Sequence, residues 1–334
     1  MLKKLFFFNI IFIRVIFKMN SPLYRMLFWK IAGVIQTVDF AILLPLIARF
    51  PIKAGYFLLI IRAWLNSAFR CDWRSVALKT RHIERRSRLA YSLMFPELTE
   101  TLLMDLVKKR YRSEAREEFE GCLIAARRVN QLDYQIYPDA FMQRCLNRNE
   151  GLVLLTPHFD SFLLGVVFLG LAGVKINVMT SSITHHSKVN SAVSRYFFRK
   201  YRGMERFMNG GLMLDRENGL RPFYKMLERG ECLVVLADLP YLGKGTMTSA
   251  TFLGLRREFA GGAVRMAQKT GSELGGYVCR FEGTGSYSVR GSHIFKSANS
   301  FSIDQVYEFL SDEIMRSPGC WEASDLLPDF SQVD

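Results

Sequence analysis

Between Gly151 and Phe281, apolar runs of strand length alternate with segments of helix length, and this alternation limits the fold more than any other feature of the chain. Gly151-Leu-Val-Leu-Leu-Thr156 is a continuous apolar run that ends at Pro157, and the apolar segment from Phe162 to Leu171 follows it. This reads as buried strand, turn, helix. Further strands are expected at Lys175–Met179, Glu231–Leu236 and Leu274–Phe281, with helices at Leu220–Arg229 and Gly261–Lys269. Strands that are apolar throughout, rather than at every second residue, need cover on both faces, so the pattern predicts an α/β sheet with helices packed on it. Ligands of such sheets bind beyond the carboxyl ends of the strands. Two turns there carry ionisable residues: Thr156-Pro157-His158-Phe159-Asp160 and Ala237-Asp238-Leu239-Pro240-Tyr241. His158 is either a base, since its neutral imidazole is available near pH 7, or a buried and hydrogen-bonded structural histidine.

Upstream of that core the character changes twice. Residues 1–66 hold nine basic residues (Lys3, Lys4, Arg14, Lys18, Arg25, Lys30, Arg49, Lys53, Arg62) against one acid, Asp39. The apolar runs Leu5–Ile13, Phe40–Ala48 and Ala54–Ile61 are each cut short by a charge, a proline or a glycine. None reaches the roughly 18 apolar residues of a clear spanning helix. Lys3 and Lys4 before an apolar run suit a signal peptide, but Arg14 interrupts that run and no small-x-small site follows. The preferred reading is a helical anchor at the membrane surface, with apolar side chains at the acyl boundary and cations at anionic headgroups. Core helices of a soluble domain, or one spanning helix around residues 31–50 carrying the cost of Asp39, are the alternatives. Residues 67–150 read as a mainly helical region, with an Arg-rich stretch from Arg70 to Arg88 and a helix after Thr99, packing on an α/β core of residues 151–334.

Several classes are excluded. Lys plus Arg outnumber Asp plus Glu by 45 to 31, but apolar residues make up 49% of the 334 residues, so disorder, collagen and coiled coil do not apply. The basic surface lacks a nucleic-acid reading module, and membrane phosphate accounts for the cations more simply. Cys71, Cys122, Cys145, Cys232, Cys279 and Cys320 form no CxxC pair and are expected to be buried reduced thiols. There is no GxSxG, HExxH or GxGxxG, and Gly243-Lys244-Gly245-Thr246 lacks the glycine spacing of a phosphate-binding loop. The adjacent His185 and His186 have no acidic or thiol neighbour in sequence, so no metal or other cofactor is expected.

The segment Gly151-Leu-Val-Leu-Leu-Thr-Pro-His158-Phe-Asp-Ser-Phe-Leu-Leu-Gly165 resembles the signature of the lysophospholipid acyltransferase superfamily, in its lipid A biosynthesis (lauroyl/myristoyl) branch. Arg85 to Pro96 is similar to that branch's basic helix ending in a Phe-Pro turn. Met213-Leu-Asp215-Arg216, the block Leu220 to Glu231, Ala237-Asp238, and Glu313 to Trp321 follow in the family's order. The resemblance implies a mixed central sheet flanked by helices, like that of glycerolphosphate acyltransferases. It also implies an enzyme at the cytoplasmic face of the bacterial inner membrane. The donor would be an acyl thioester of acyl carrier protein or CoA, and the acceptor a hydroxyl of a glycolipid, lipid A-like lipid or lysophospholipid.

Carried over by position, His158 is the general base, Asp215, Arg216 and Arg221 help bind acceptor phosphate, and Asp238 is the strand-end acid, with Lys244 as its helper. One departure matters. The family's acid stands five residues after the histidine, where this chain has Leu163. Asp160 is the expected substitute, Asp238 from the neighbouring turn is the other candidate, and loss of the acid would leave a slow enzyme or a lipid-binding accessory protein. The acidic Glu322 to Asp329 segment after Trp321 also departs from the branch's usual basic ending.

Overall fold

The computed structural model describes residues 22–69, 72–147, 149–181 and 187–331. Leu5–Ile13 and the His185-His186 pair therefore lie outside the described residues. Strands β1 (Asp133–Tyr137), β2 (Leu152–Thr156), β3 (Ile176–Thr180), β4 (Met213–Asp215), β5 (Cys232–Leu236), β8 (Glu273–Gly283) and β9 (Ser286–Gly291) form one sheet in the order β1-β9-β8-β2-β5-β3-β4. Strands β8, β2, β5, β3 and β4 run parallel, and β9 returns antiparallel to β8, so the sheet is mixed as expected. A separate antiparallel hairpin, β6 (Met247–Phe252) and β7 (Leu255–Ala260), follows β5.

The burial of β2 explains its sequence. Leu152 and Leu154 enter one core, while Val153 and Leu155 enter a second on the opposite face. With no face left for water, every position must be apolar. The following helix, Phe162–Leu171, is apolar on all sides for the same reason: each residue from Phe162 to Gly170 is buried. Its Gly165 cannot carry a side chain, because a Cβ there would lie 2.7 Å from the Tyr277 ring.

The helices in chain order are α1 (Pro22–Val38), α2 (Leu44–Ile47), α3 (Ile52–Phe69), α4 (Trp73–Leu78), α5 (His82–Met94), α6 (Glu100–Ala125), α7 (Asp139–Leu146), α8 (Phe162–Leu171), α9 (Ser191–Glu205), α10 (Arg221–Glu228), α11 (Gly262–Thr270) and α12 (Ser300–Arg316). The 26-residue α6 is the spine, packing against α3, α5 and α9. Cys122, Cys145, Cys232 and Cys279 are buried and free, and Cys320 is free and half-buried.

Two expectations change. Phe40–Ala48 is not a separate short run: a π-helical turn, Asp39–Leu43, joins α1 to α2. Arg25–Ile47 is consequently long and apolar enough to cross a membrane, and only 22% of its most apolar window is buried. Arg62 of α3 makes this continuity tolerable by pairing with Asp39 at 2.6 Å, an interhelical contact that no local pattern announces. The sheet also takes an edge strand, β1, from the region expected to be helical. Asp133-Tyr-Gln-Ile-Tyr137 alternates exposed with half-buried residues, the mark of a strand covered on one face.

Candidate active site

Strands β2 and β5 are parallel neighbours in register, with Thr156 opposite Leu236. His158 and Asp238 each stand two residues past those ends, so the register itself brings them together. The Ala237 N–H donates to Thr156 O at 2.8 Å and joins the two turns. His158 Nδ1 lies 2.8 Å from Asp238 Oδ1, and the His158 backbone N–H donates to Asp238 Oδ2 at 2.8 Å. Trp321 Nε1 donates to the same Oδ2, also at 2.8 Å.

Asp238 is only 1% exposed. Burial alone would raise its pKa, but the His158 charge, the His158 hydrogen bonds and the indole N–H together hold the carboxyl below its ordinary value. An ionised carboxylate only accepts, so it directs the neutral ring's proton to Nδ1 and leaves the Nε2 lone pair able to accept a proton. The His158 side chain is 28% exposed and meets Phe162 edge-on, with ring centroids 5.2 Å apart. It lines a cavity of about 260 Å³ with Phe162, Leu163, Val178, Phe197 and Leu236.

The pairing expected of Asp160 is made by Asp238 instead. The Asp160 carboxylate is engaged elsewhere: it pairs with Arg116 of α6 and accepts the Phe281 N–H at 3.1 Å. Its backbone adopts a left-handed φ of 55°, and its N–H donates to Cys320 O at 2.9 Å. That twist turns the side chain toward α6 and β8, and Asp160 thereby ties the His158 loop to three elements. At the position of the family's acid, Leu163 is a cavity wall.

A family model described as bacterial lipid A biosynthesis acyltransferase matches residues 41–321. The chain belongs to this acyltransferase family. No curated protein matches the chain closely enough to add to that assignment.

The remaining residues singled out by this acyltransferase's sequence lie away from the His158 cavity. Asp215 ends β4 and accepts the Glu217 N–H at 3.1 Å, capping a short 3-10 turn. Arg216 pairs with Glu217 at 3.1 Å, Arg221 opens α10 on the exposed side, and Lys244 is exposed in the loop between β5 and β6. None of the four is among the described residues that line the His158 cavity. Three strand spacings separate β2 from β4, so the Arg216 turn is about 14 Å across the sheet from the His158 turn.

Sequence reading missed the acidic part of the cavity lining. Glu114, Glu117 and Glu118 of α6 and Glu322 all line the cavity. Glu114 pairs with Arg110 at 3.1 Å, Glu117 with Lys200, and Glu118 with Arg62 at 2.6 Å. Burial pushes the Glu118 carboxyl up to about 8 against the pull of Arg62, and burial beside Glu117 and Glu114 raises Glu322 well above the carboxylate range. The available signal was the spacing of three and four residues among these acids and Arg110, which sets them on one helix face. Which face is buried is not written in that spacing.

Proposed function

We propose that this acyltransferase moves a fatty acyl chain from a thioester of acyl carrier protein or CoA to a hydroxyl of a glycolipid, lipid A-like lipid or lysophospholipid. The His158–Asp238 pair, with His158 in the wall of a cavity whose lining is mainly apolar, carries the reading. Nε2 of His158 removes the acceptor hydroxyl proton as its oxygen attacks the thioester carbonyl carbon. Asp238 holds the ring and balances the imidazolium that forms. The tetrahedral intermediate then collapses to the ester, the C–S bond breaks, and the imidazolium returns its proton to the departing thiolate.

Arg216, with Asp215 ordering its turn, and Arg221 at the start of α10 are proposed to bind acceptor phosphate, and Lys244 to assist from the loop between β5 and β6. The separation of the Arg216 turn from His158 suits a headgroup rather than the reacting atoms. The net charge of +14 favours an acidic carrier protein as donor.

We propose attachment to the cytoplasmic face of the bacterial inner membrane; the exposed apolar side chains of α1 and α3, among them Val34, Phe57 and Ile60, support membrane binding itself. Replacing Val34, Phe57 and Ile60 by Gln is expected to lower partition onto anionic vesicles by about 100-fold or more, read by flotation. Unchanged flotation removes this face as the anchor. The functional test is transfer of labelled acyl groups from acyl carrier protein to a membrane extract, abolished by His158→Ala. A wild-type protein that transfers nothing but still binds lipid is the accessory protein that Leu163 at the acid's position also permits.

A further inference from the structure

The His158 cavity has a neighbour. A second cavity, of about 470 Å³, lies among α1, α2, α3 and α4 and is lined by Phe28, Ile35, Leu43, Ile61 and Leu65. Trp73 and Glu118 line both cavities and so stand at the junction. The Glu118 carboxyl accepts from the Arg62 guanidinium at 2.6 Å, and a polar group held in that way is poor surface for hydrocarbon. The apolar part of the junction is the Trp73 indole. It is held firmly at the start of α4, where buried Asp72 accepts from the Ser75 N–H at 2.8 Å and the Ser75 hydroxyl at 2.7 Å. Trp73 also packs edge-to-face on Phe197, itself a wall of the His158 cavity, with centroids 5.4 Å apart.

We propose that Trp73 is the end stop for the donor's acyl chain, separating the His158 cavity from a second apolar cavity that longer chains reach only when the indole is removed. This rests on the reading that His158 acts at an acyl thioester. The reacting carbonyl carbon must lie beside Nε2, and the donor chain begins at that carbon. Its apolar continuation is therefore the cavity that His158 shares with Leu163 and Phe197, while the acceptor hydroxyl approaches from the open side. Trp73 would thus determine chain length without touching the reacting atoms.

The test is a series of acyl carrier protein thioesters of ten to eighteen carbons, run with the full-length protein. Wild type is expected to show a cut-off in chain length. In Trp73→Ala, turnover of the chain two carbons beyond that limit, relative to the preferred chain, rises about tenfold, the worth of two newly buried methylenes. Trp73→Phe keeps an aromatic wall and gives a smaller rise. Ala32→Phe fills the far cavity from α1: alone it leaves the profile unchanged, and combined with Trp73→Ala it reverses the gain. An unchanged profile in Trp73→Ala, a gain that Ala32→Phe fails to reverse, or a folded Trp73→Ala protein inactive on the preferred chain overturns the proposal. Displacement of a fluorescent fatty acid by free fatty acids of the same lengths reads the cut-off without turnover. A wild type with that cut-off in binding but no transfer overturns the catalytic reading and leaves the end stop standing.

Discussion

The turns after β2 and β5 each carry a buried aspartate, and they use it in opposite ways. Asp160 is two residues from His158 in sequence, yet its carboxylate faces Arg116 and the Phe281 N–H. Asp238 is eighty residues from His158, yet it receives both the ring and the backbone N–H of that histidine. The difference is one of backbone geometry. A left-handed turn at residue 160 points its side chain back into the body of the protein, whereas two parallel strands in register deliver their following turns side by side. Across a sheet edge, register decides which groups meet; closeness along the chain does not.

The strongest test of this contrast exchanges the two carboxylates for amides. Asp238→Asn is expected to lower kcat by up to about 10⁴-fold, because the amide no longer selects the Nδ1 tautomer or balances the imidazolium. Combined with His158→Ala it should cost little beyond the worse single change, since the two act as one unit. Asp160→Asn should leave kcat within about tenfold of wild type. If the two variants lose activity in the reverse order, the assignment of Asp238 fails.

A second, smaller effect separates structure from chemistry. Asp160→Ala leaves the Arg116 guanidinium without its main partner and is expected to cost about 3 kcal/mol of stability in urea unfolding. Asp160→Gly should cost about 1 kcal/mol less, because glycine adopts the left-handed conformation without a Cβ penalty. Equal losses would mean that the left-handed backbone carries no strain there.

The smallest effect is one of pH. The Asp238 carboxyl is held below its ordinary value in the folded protein, so the unfolded chain takes up its proton first as pH falls. The stability it contributes is complete above the unfolded value of about 4 and is lost as pH drops through the lowered folded value. Acid unfolding of Asp238→Asn should lack this part of the decline. A variant whose acid limb matches wild type would show that Asp238 is not ionised when paired.

Much of the core was legible in local pattern. β2, β5 and α8 lie within a residue or two of their expected bounds, because elements buried on all sides leave uninterrupted apolar runs, while α10 was legible from the three- and four-residue spacing of its buried Phe223, Met226 and Leu227. The hairpin Met247–Ala260 left no such run: its strands mix Thr, Ser, Arg and Glu, and their burial depends on the cover given by α12. The acids of α6 were equally hidden. Glu114, Glu117 and Glu118 look like a solvated helix face until Arg110, Lys200 and Arg62 are brought against them from the same helix, α9 and α3.

What the sequence determined by itself was the layer order of an α/β protein, a greasy cationic N-terminal region, and His158 at the carboxyl end of a buried strand. All of these follow from composition and periodicity within short windows. The tertiary structure alone decided that Asp238 rather than Asp160 faces the imidazole, that Arg62 neutralises Asp39 inside a continuing helix, and that Trp73 stands between two cavities. Each is a contact between groups far apart in sequence, and its geometry depends on strand register and helix packing, which no short stretch of chain encodes.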